Sequence, residues 1–123
     1  MLIDFRQLRK SFSYAFKGLT QVAREEQNFR IQLFVAGLVV VLMFAFGLGG
    51  TEKALLTLAI VLVLVLELTN SIFERMTDVL KPRLHQYVRE IKDIMAGTVL
   101  VASFGALLIG VLIFWPYVAR LFQ

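Results

Sequence analysis

The sequence predicts an all-helical integral membrane protein, with an amphipathic surface helix ahead of three transmembrane helices. Three observations carry that reading. The 123 residues are 59% hydrophobic and only 18% charged, more apolar surface than a soluble domain of this size can hide. The charges are clumped, and long uncharged stretches separate the clumps. Each stretch is long enough for a helix to cross about 30 Å of hydrocarbon, which takes roughly 20 residues, and a helix satisfies its own backbone there. A chain this short is read as one domain, 1–123.

The surface helix is placed at about 5–26. Phe5, Leu8, Phe12, Phe16, Leu19 and Ala23 recur at three- and four-residue steps, with Arg9, Lys10, Lys17 and Arg24 off that stripe. This is the pattern of a helix lying in a membrane interface. The first span, about 31–49, carries no charge and only Gln32 near its start. It begins some thirty residues into the chain without a small-residue cleavage site, so it is read as a span and not a signal peptide. Phe46 to Thr51 is Gly-rich and turn-like. No Lys-Ser or Lys-Thr follows its glycines, so it is not a phosphate loop. Glu52 and Lys53 are read as a cap pair beside it.

The second span, about 54–73, is apolar apart from Glu67, Asn70 and small hydroxyls. A loop at about 79–91 follows, with Pro82, His85 and several basic residues. The third span, about 94–118, has no charge, and Pro116 is read as a late kink or terminator. Its Ala96, Gly97, Ala102, Gly105 and Gly110 permit close helix packing, as in a bundle larger than one chain. Without cysteine there are no disulfides, thiolate metal sites or cysteine chemistry.

Orientation follows from the basic residues. Of 13 Lys and Arg, all but Lys53 and Arg120 precede the first span or lie between the second and third. The N-terminus and second loop are therefore expected in the cytoplasm and the C-terminus outside. The net charge of +4 is read as orientation and attraction to anionic lipid, not as nucleic-acid binding.

Ionisable groups within spans need a partner or a purpose. Glu67, Asn70, Glu74 and Asp78 follow at steps of three, four and four, which places them in a sector of roughly 80° on one helix face. Such a row of carboxylates repels unless a cation neutralises it. Glu25, Glu26 and Arg30 end the surface segment, and Lys92 and Asp93 open the third span, all at the same membrane boundary. Carboxylates for a hard cation, a lysine for phosphate and a buried carboxylate as base are the parts of phosphoryl transfer. They also suit a small proton-coupled transporter built on Glu67, or a scaffold in which they bond between helices.

The runs Glu-Gln-Asn-Phe-Arg (26–30), Glu-Leu-Thr-Asn-Ser-Ile-Phe-Glu-Arg-Met-Thr-Asp (67–78) and Lys-Asp-Ile-Met-Ala-Gly (92–97) resemble the prokaryotic diacylglycerol kinase family, most closely its undecaprenol kinase branch. Lys10-Ser11-Phe12, Tyr14-Ala15 and Lys17-Gly18 extend the resemblance over nearly the whole chain. It implies an ATP-dependent lipid kinase of the bacterial cytoplasmic membrane, a homotrimer with shared active sites, Mg²⁺, and undecaprenol or diacylglycerol as acceptor. It implies Glu67 as general base and Glu26 and Glu74 as metal ligands. Tyr14, Glu26, Glu74, His85, Lys92 and Asp93 would contact the nucleotide, with Asn70, Asp78, Lys17 and Arg30 completing the site. Two positions depart from the pattern. Arg83 stands where a glutamate is common, and Gln7, flanked by Arg6 and Arg9, where an arginine is usual.

The topology is open to a direct test. A single cysteine replacing Gln123 in this cysteine-free chain is expected to react with an impermeant thiol reagent from outside intact cells, or spheroplasts where an outer membrane intervenes. Labelling only after permeabilisation would reverse the assignment.

Overall fold

The computed structural model describes residues 2–83 and 85–123. They form four helices: α1 (Phe5–Glu25), α2 (Gln27–Ala45), α3 (Gly50–Leu80) and α4 (His85–Arg120). Of these, α2, α3 and α4 are long and apolar enough to cross a membrane, and the protein is an integral membrane protein. Asp4 caps α1, its Oδ1 accepting from the backbone N–H of Arg6 at 2.9 Å and of Gln7 at 3.3 Å; such a cap satisfies amides that have no partner within the helix. The apolar stripe of α1 is uncovered, with Phe5, Phe12 and Phe16 at least 60% exposed. This helix holds its place through its C-terminal end, not through a core.

The chain exposes 9643 Å². A soluble globular protein of 14.0 kDa would expose about 6,700 Å², so these helices are covered by something other than one another. Packing within the chain is closest between α3 and α4. A small core of Met43, Leu48 and Leu56 sits at the end of the bundle near the α2–α3 turn, with Phe46, Phe114 and Tyr117 against it. The rings of Phe46 and Phe114 meet edge to face at 6.0 Å. A largely apolar groove of about 560 Å³ runs between α2, α3 and α4, from Ile31 and Gln32 at one end to Phe46 and Val118 at the other.

Several boundaries differ from the sequence reading. α2 stops at Ala45, short of Gly49, because Gly47 adopts φ 62° and turns the chain; only glycine takes that conformation readily. α3 and α4 run well beyond the apolar stretches, leaving 81–83 as turn where a loop over 79–91 was expected, and His85 becomes the first residue of α4. Backbone hydrogen bonding continues past the hydrophobic limit because charged side chains on those turns reach water. Pro116 lies inside α4, which continues to Arg120. Glu52 does not pair with Lys53: its Oε1 accepts from the Tyr117 hydroxyl at 2.7 Å, and Lys53 lies over the Phe44 ring at 5.3 Å.

Two glycines give opposite expectations. Gly47→Ala puts a Cβ on a left-handed residue and is expected to lower stability by about 1–2 kcal/mol. Gly18→Ala, in helical α1 with nothing within 4 Å of the new Cβ, is expected to raise it by up to about 1 kcal/mol. Unfolding of both variants in mixed micelles checks the pair; a harmless Gly47→Ala contradicts the turn.

Candidate active site

The site begins at a break in the backbone. Between α1 and α2, Glu26 is extended, with φ −115° and ψ 117°. Its side chain makes no capping bond to α2 and reaches across to α3 instead. There the completely buried Ser71 donates to Glu26 Oε2. Ser71 Oγ is also 3.0 Å from the Glu67 carbonyl, and its one proton serves the stronger acceptor, the carboxylate. Arg75 completes the junction, one turn further along α3. Its Nη1 donates to Glu26 Oε1 and to the Ser71 carbonyl, both at 3.1 Å, and its Nη2 donates to Glu25 Oε2 at 2.7 Å. The Arg75 guanidinium, with help from Gln21, holds the Glu25 carboxyl below its ordinary range. The pair is therefore intact at neutral pH and is lost only as pH falls through that lowered value.

Deeper along the same face lies Glu67, 3% exposed. Gln32 of α2 donates its Nε2 to Glu67 Oε2 at 3.1 Å. Asn70 donates to Glu74 Oε1 at 3.2 Å, one helical turn on. Glu26 and Glu74 both lie close enough to Glu67 to act on it electrostatically. Asp78 accepts from Lys92 Nζ at 2.7 Å, tying α3 to the start of α4.

The structure thus brings Glu26, Glu67, Asn70 and Glu74 together, with Asp78 and Lys92 paired at the edge. Other residues singled out from sequence stand apart. Arg30 donates to the carbonyls of Ala23 at 3.0 Å and Arg24 at 2.8 Å, so it caps the end of α1. Tyr14 is exposed on α1, and Lys17 lines a shallow groove with Thr20, Gln21, Arg24 and Glu25. His85 and Asp93 are exposed on α4. The sequence reading had passed over three site residues: Gln32, Ser71 and Arg75. Ser71 and Arg75 lie four and eight residues after Glu67, on the same helical stripe, so the helical period could have found them.

Among the described residues no group of three His, Asp or Glu could hold a metal ion unaided. A cation that takes one or two carboxylates and draws its other ligands from phosphates and water fits this set better than a caged one. Glu26, from the α1–α2 break, and Glu74, on α3, supply hard oxygens at the polar end of this face, so the residues suit a metal–nucleotide complex.

The family model for prokaryotic diacylglycerol kinase matches residues 13–114, a range that contains this entire cluster. The chain belongs to the prokaryotic diacylglycerol kinase family. It is a lipid kinase of the membrane-embedded type. Similar members include the undecaprenol kinase of Bacillus subtilis, 34% identical over 113 residues and 92% of each chain. The diacylglycerol kinase of Synechocystis is 33% identical over 101 residues, 81% of this chain and 58% of that protein. The diacylglycerol kinase of Escherichia coli K12 is 26% identical over 113 residues, 92% of this chain and 93% of its own.

Ser71 gives this family member a structural test that is separate from activity. Ser71→Ala removes a buried donor from a charged acceptor and is expected to lower stability by about 1–2 kcal/mol, at the lower end of the usual range because Glu26 keeps Arg75. Ser71→Thr, which retains the hydroxyl, is expected to recover most of that loss. Unfolding in mixed micelles measures both, and an unchanged Ser71→Ala contradicts the junction.

Proposed function

We propose that this kinase transfers the terminal phosphoryl group of ATP to the hydroxyl of a membrane lipid alcohol, with undecaprenol as first acceptor and diacylglycerol as second. One observation carries the residue assignment: Glu67 is buried within an apolar span, while Glu74 lies about two turns nearer the polar end of the same helix face and Glu26 meets that face from the α1–α2 break. A carboxylate in that position meets a hydroxyl arriving from the bilayer, and the others meet a nucleotide arriving from water.

In this mechanism Glu67 takes the acceptor's proton as the hydroxyl oxygen bonds to the terminal phosphorus. The bond from phosphorus to its bridging oxygen breaks, ADP leaves with that electron pair, and Glu67 later returns the proton to water. Gln32 and Asn70 orient the carboxylates on either side. Glu26 and Glu74 would hold Mg²⁺, which when bound neutralises charge on the phosphates. Lys92, paired with an Asp78 that is itself largely exposed, can exchange that partner for phosphate oxygens. Tyr14, His85 and Asp93 are proposed nucleotide contacts, with Lys17 and Arg30 on the surface-helix side.

The same reading places the N-terminus and the α3–α4 turn in the cytoplasm, in the cytoplasmic membrane of a bacterium, as the basic residues favour. It assembles the chain as a homotrimer with shared sites. The uncovered Cβ positions of Gly97, Gly105 and Gly110 on α4 support close approach of another helix. Undecaprenol is preferred because the Bacillus subtilis relative bears that name and aligns over 92% of both chains.

Glu67→Gln keeps the side chain's size but cannot accept the proton. Lipid phosphorylation is expected to fall by about 10²–10⁴, with nucleotide binding and oligomer size little changed. A variant within about threefold of wild type would remove Glu67 as base on that scale. Glu26→Gln and Glu74→Gln are each expected to raise the Mg²⁺ concentration needed for half-maximal transfer, and wild-type behaviour at limiting Mg²⁺ in both contradicts the metal assignment.

A further inference from the structure

A cation of the chain itself, the Arg75 guanidinium, sits on the carboxylate proposed to hold the metal. Both oxygens of Glu26 are engaged, Oε2 by Ser71 and Oε1 by Arg75. We propose that Arg75 is an internal stand-in for the divalent ion: it holds Glu26 until the metal–nucleotide complex arrives, then yields Oε1 and stays bound to Glu25. The inference rests on the reading of Glu26 as a metal ligand and adds to it a residue that sets how tightly the metal is taken.

The two partners of Glu26 differ in their freedom to leave. Ser71 is completely enclosed and short, so its bond to Oε2 persists. Arg75 is long, with a side chain 42% exposed, and can withdraw from Oε1 into solvent. Its contact with Glu25 is the shorter, 2.7 Å against 3.1 Å to Glu26. With the Ser71 carbonyl as a third acceptor, the guanidinium loses one partner of three when the metal takes over. It cannot leave by losing its proton, so displacement by another cation is the available route. Exposed ion pairs are weak and screened, which makes the exchange reversible.

The sign of the effect separates this role from its opposite. A residue that only braces Glu26 would, when removed, leave the metal bound more weakly. A competing cation, when removed, leaves it bound more tightly. Glu25 adds a second criterion. If it retains the displaced Arg75, losing it drives Arg75 onto Glu26 and weakens metal binding only while Arg75 is present. Bulk electrostatics from Glu25 would act equally in either background.

The test titrates Mn²⁺ into purified protein holding the β,γ-methylene analogue of ATP and follows bound metal by electron paramagnetic resonance, with oligomer size measured on each preparation. Arg75→Gln is expected to tighten Mn²⁺ about two- to fivefold, the range of an exposed ion pair. Glu25→Gln is expected to weaken it by a similar factor in the wild-type background and to have no effect beside Arg75→Gln. Weaker or unchanged Mn²⁺ binding in Arg75→Gln overturns the proposal, as does an equal effect of Glu25→Gln in both backgrounds. Should Arg75→Gln fail to assemble, Arg75→Met takes its place in both titrations, and the same outcomes decide. Glu26→Gln in the same titration separates the two levels. Unchanged Mn²⁺ affinity in that variant defeats the metal-ligand reading itself, and the exchange falls with it; a loss there without tightening in Arg75→Gln defeats only the exchange.

Discussion

A carboxylate buried in a membrane span constrains everything around it. Glu67 is almost wholly enclosed, and an ionisable group in apolar surroundings persists only with partners or a function that requires it. The partners are supplied from two directions. Gln32 reaches Glu67 from α2, and Ser71, one turn along α3 from Glu67, ties that helix to the surface segment through Glu26. Fixing Glu26 in turn sets where α1 ends and α2 begins, because its extended backbone is the break between them. Arg75 then meets the charge that two adjacent glutamates bring to that break. The surface helix is anchored at its end by this chain of contacts and by Arg30, while its apolar stripe stays free for the bilayer surface.

Much of this was legible in the sequence, and for physical reasons. Apolar runs long enough to cross hydrocarbon have few alternatives to helix, so three spans and their order could be read directly. The acidic row from Glu67 to Asp78 was visible because a helix repeats every 3.6 residues. Contacts between distant parts of the chain were not legible. Nothing local to Ser71 or Arg75 says that the end of the surface segment, some 45 to 50 residues earlier, will lie against them. Gln32 was noticed only as a polar residue near the start of a span, since its meaning depends on Glu67 of another helix. The bond from Tyr117 to Glu52 likewise appears only once α3 and α4 pack. Helix ends were misjudged because hydropathy marks where the bilayer stops, not where backbone hydrogen bonding stops.

The division of the site into a buried and a solvated part matches the task of a lipid kinase. Its two substrates live in different solvents, and the face of α3 from Glu67 to Asp78 spans the boundary between them. One rigid helix can therefore hold the proposed base and metal ligand in register, about two turns apart, while α1 and α4 bring in charges from either side. Relatives named for undecaprenol and for diacylglycerol are similar to this chain to nearly the same degree. Undecaprenol and diacylglycerol each present a primary hydroxyl on a largely hydrocarbon body, so either suits the proposed approach from the bilayer.

The account stands most directly on transfer by the unaltered protein. Purified kinase in lipid nanodiscs, supplied with MgATP labelled in its terminal phosphate, would be offered a long-chain polyprenol, a diacylglycerol and a methyl ether of the polyprenol. The account predicts Mg²⁺-dependent label in the extracted lipid for both alcohols, more for the polyprenol, and none for the ether. Protein that binds the nucleotide yet labels neither alcohol would contradict it.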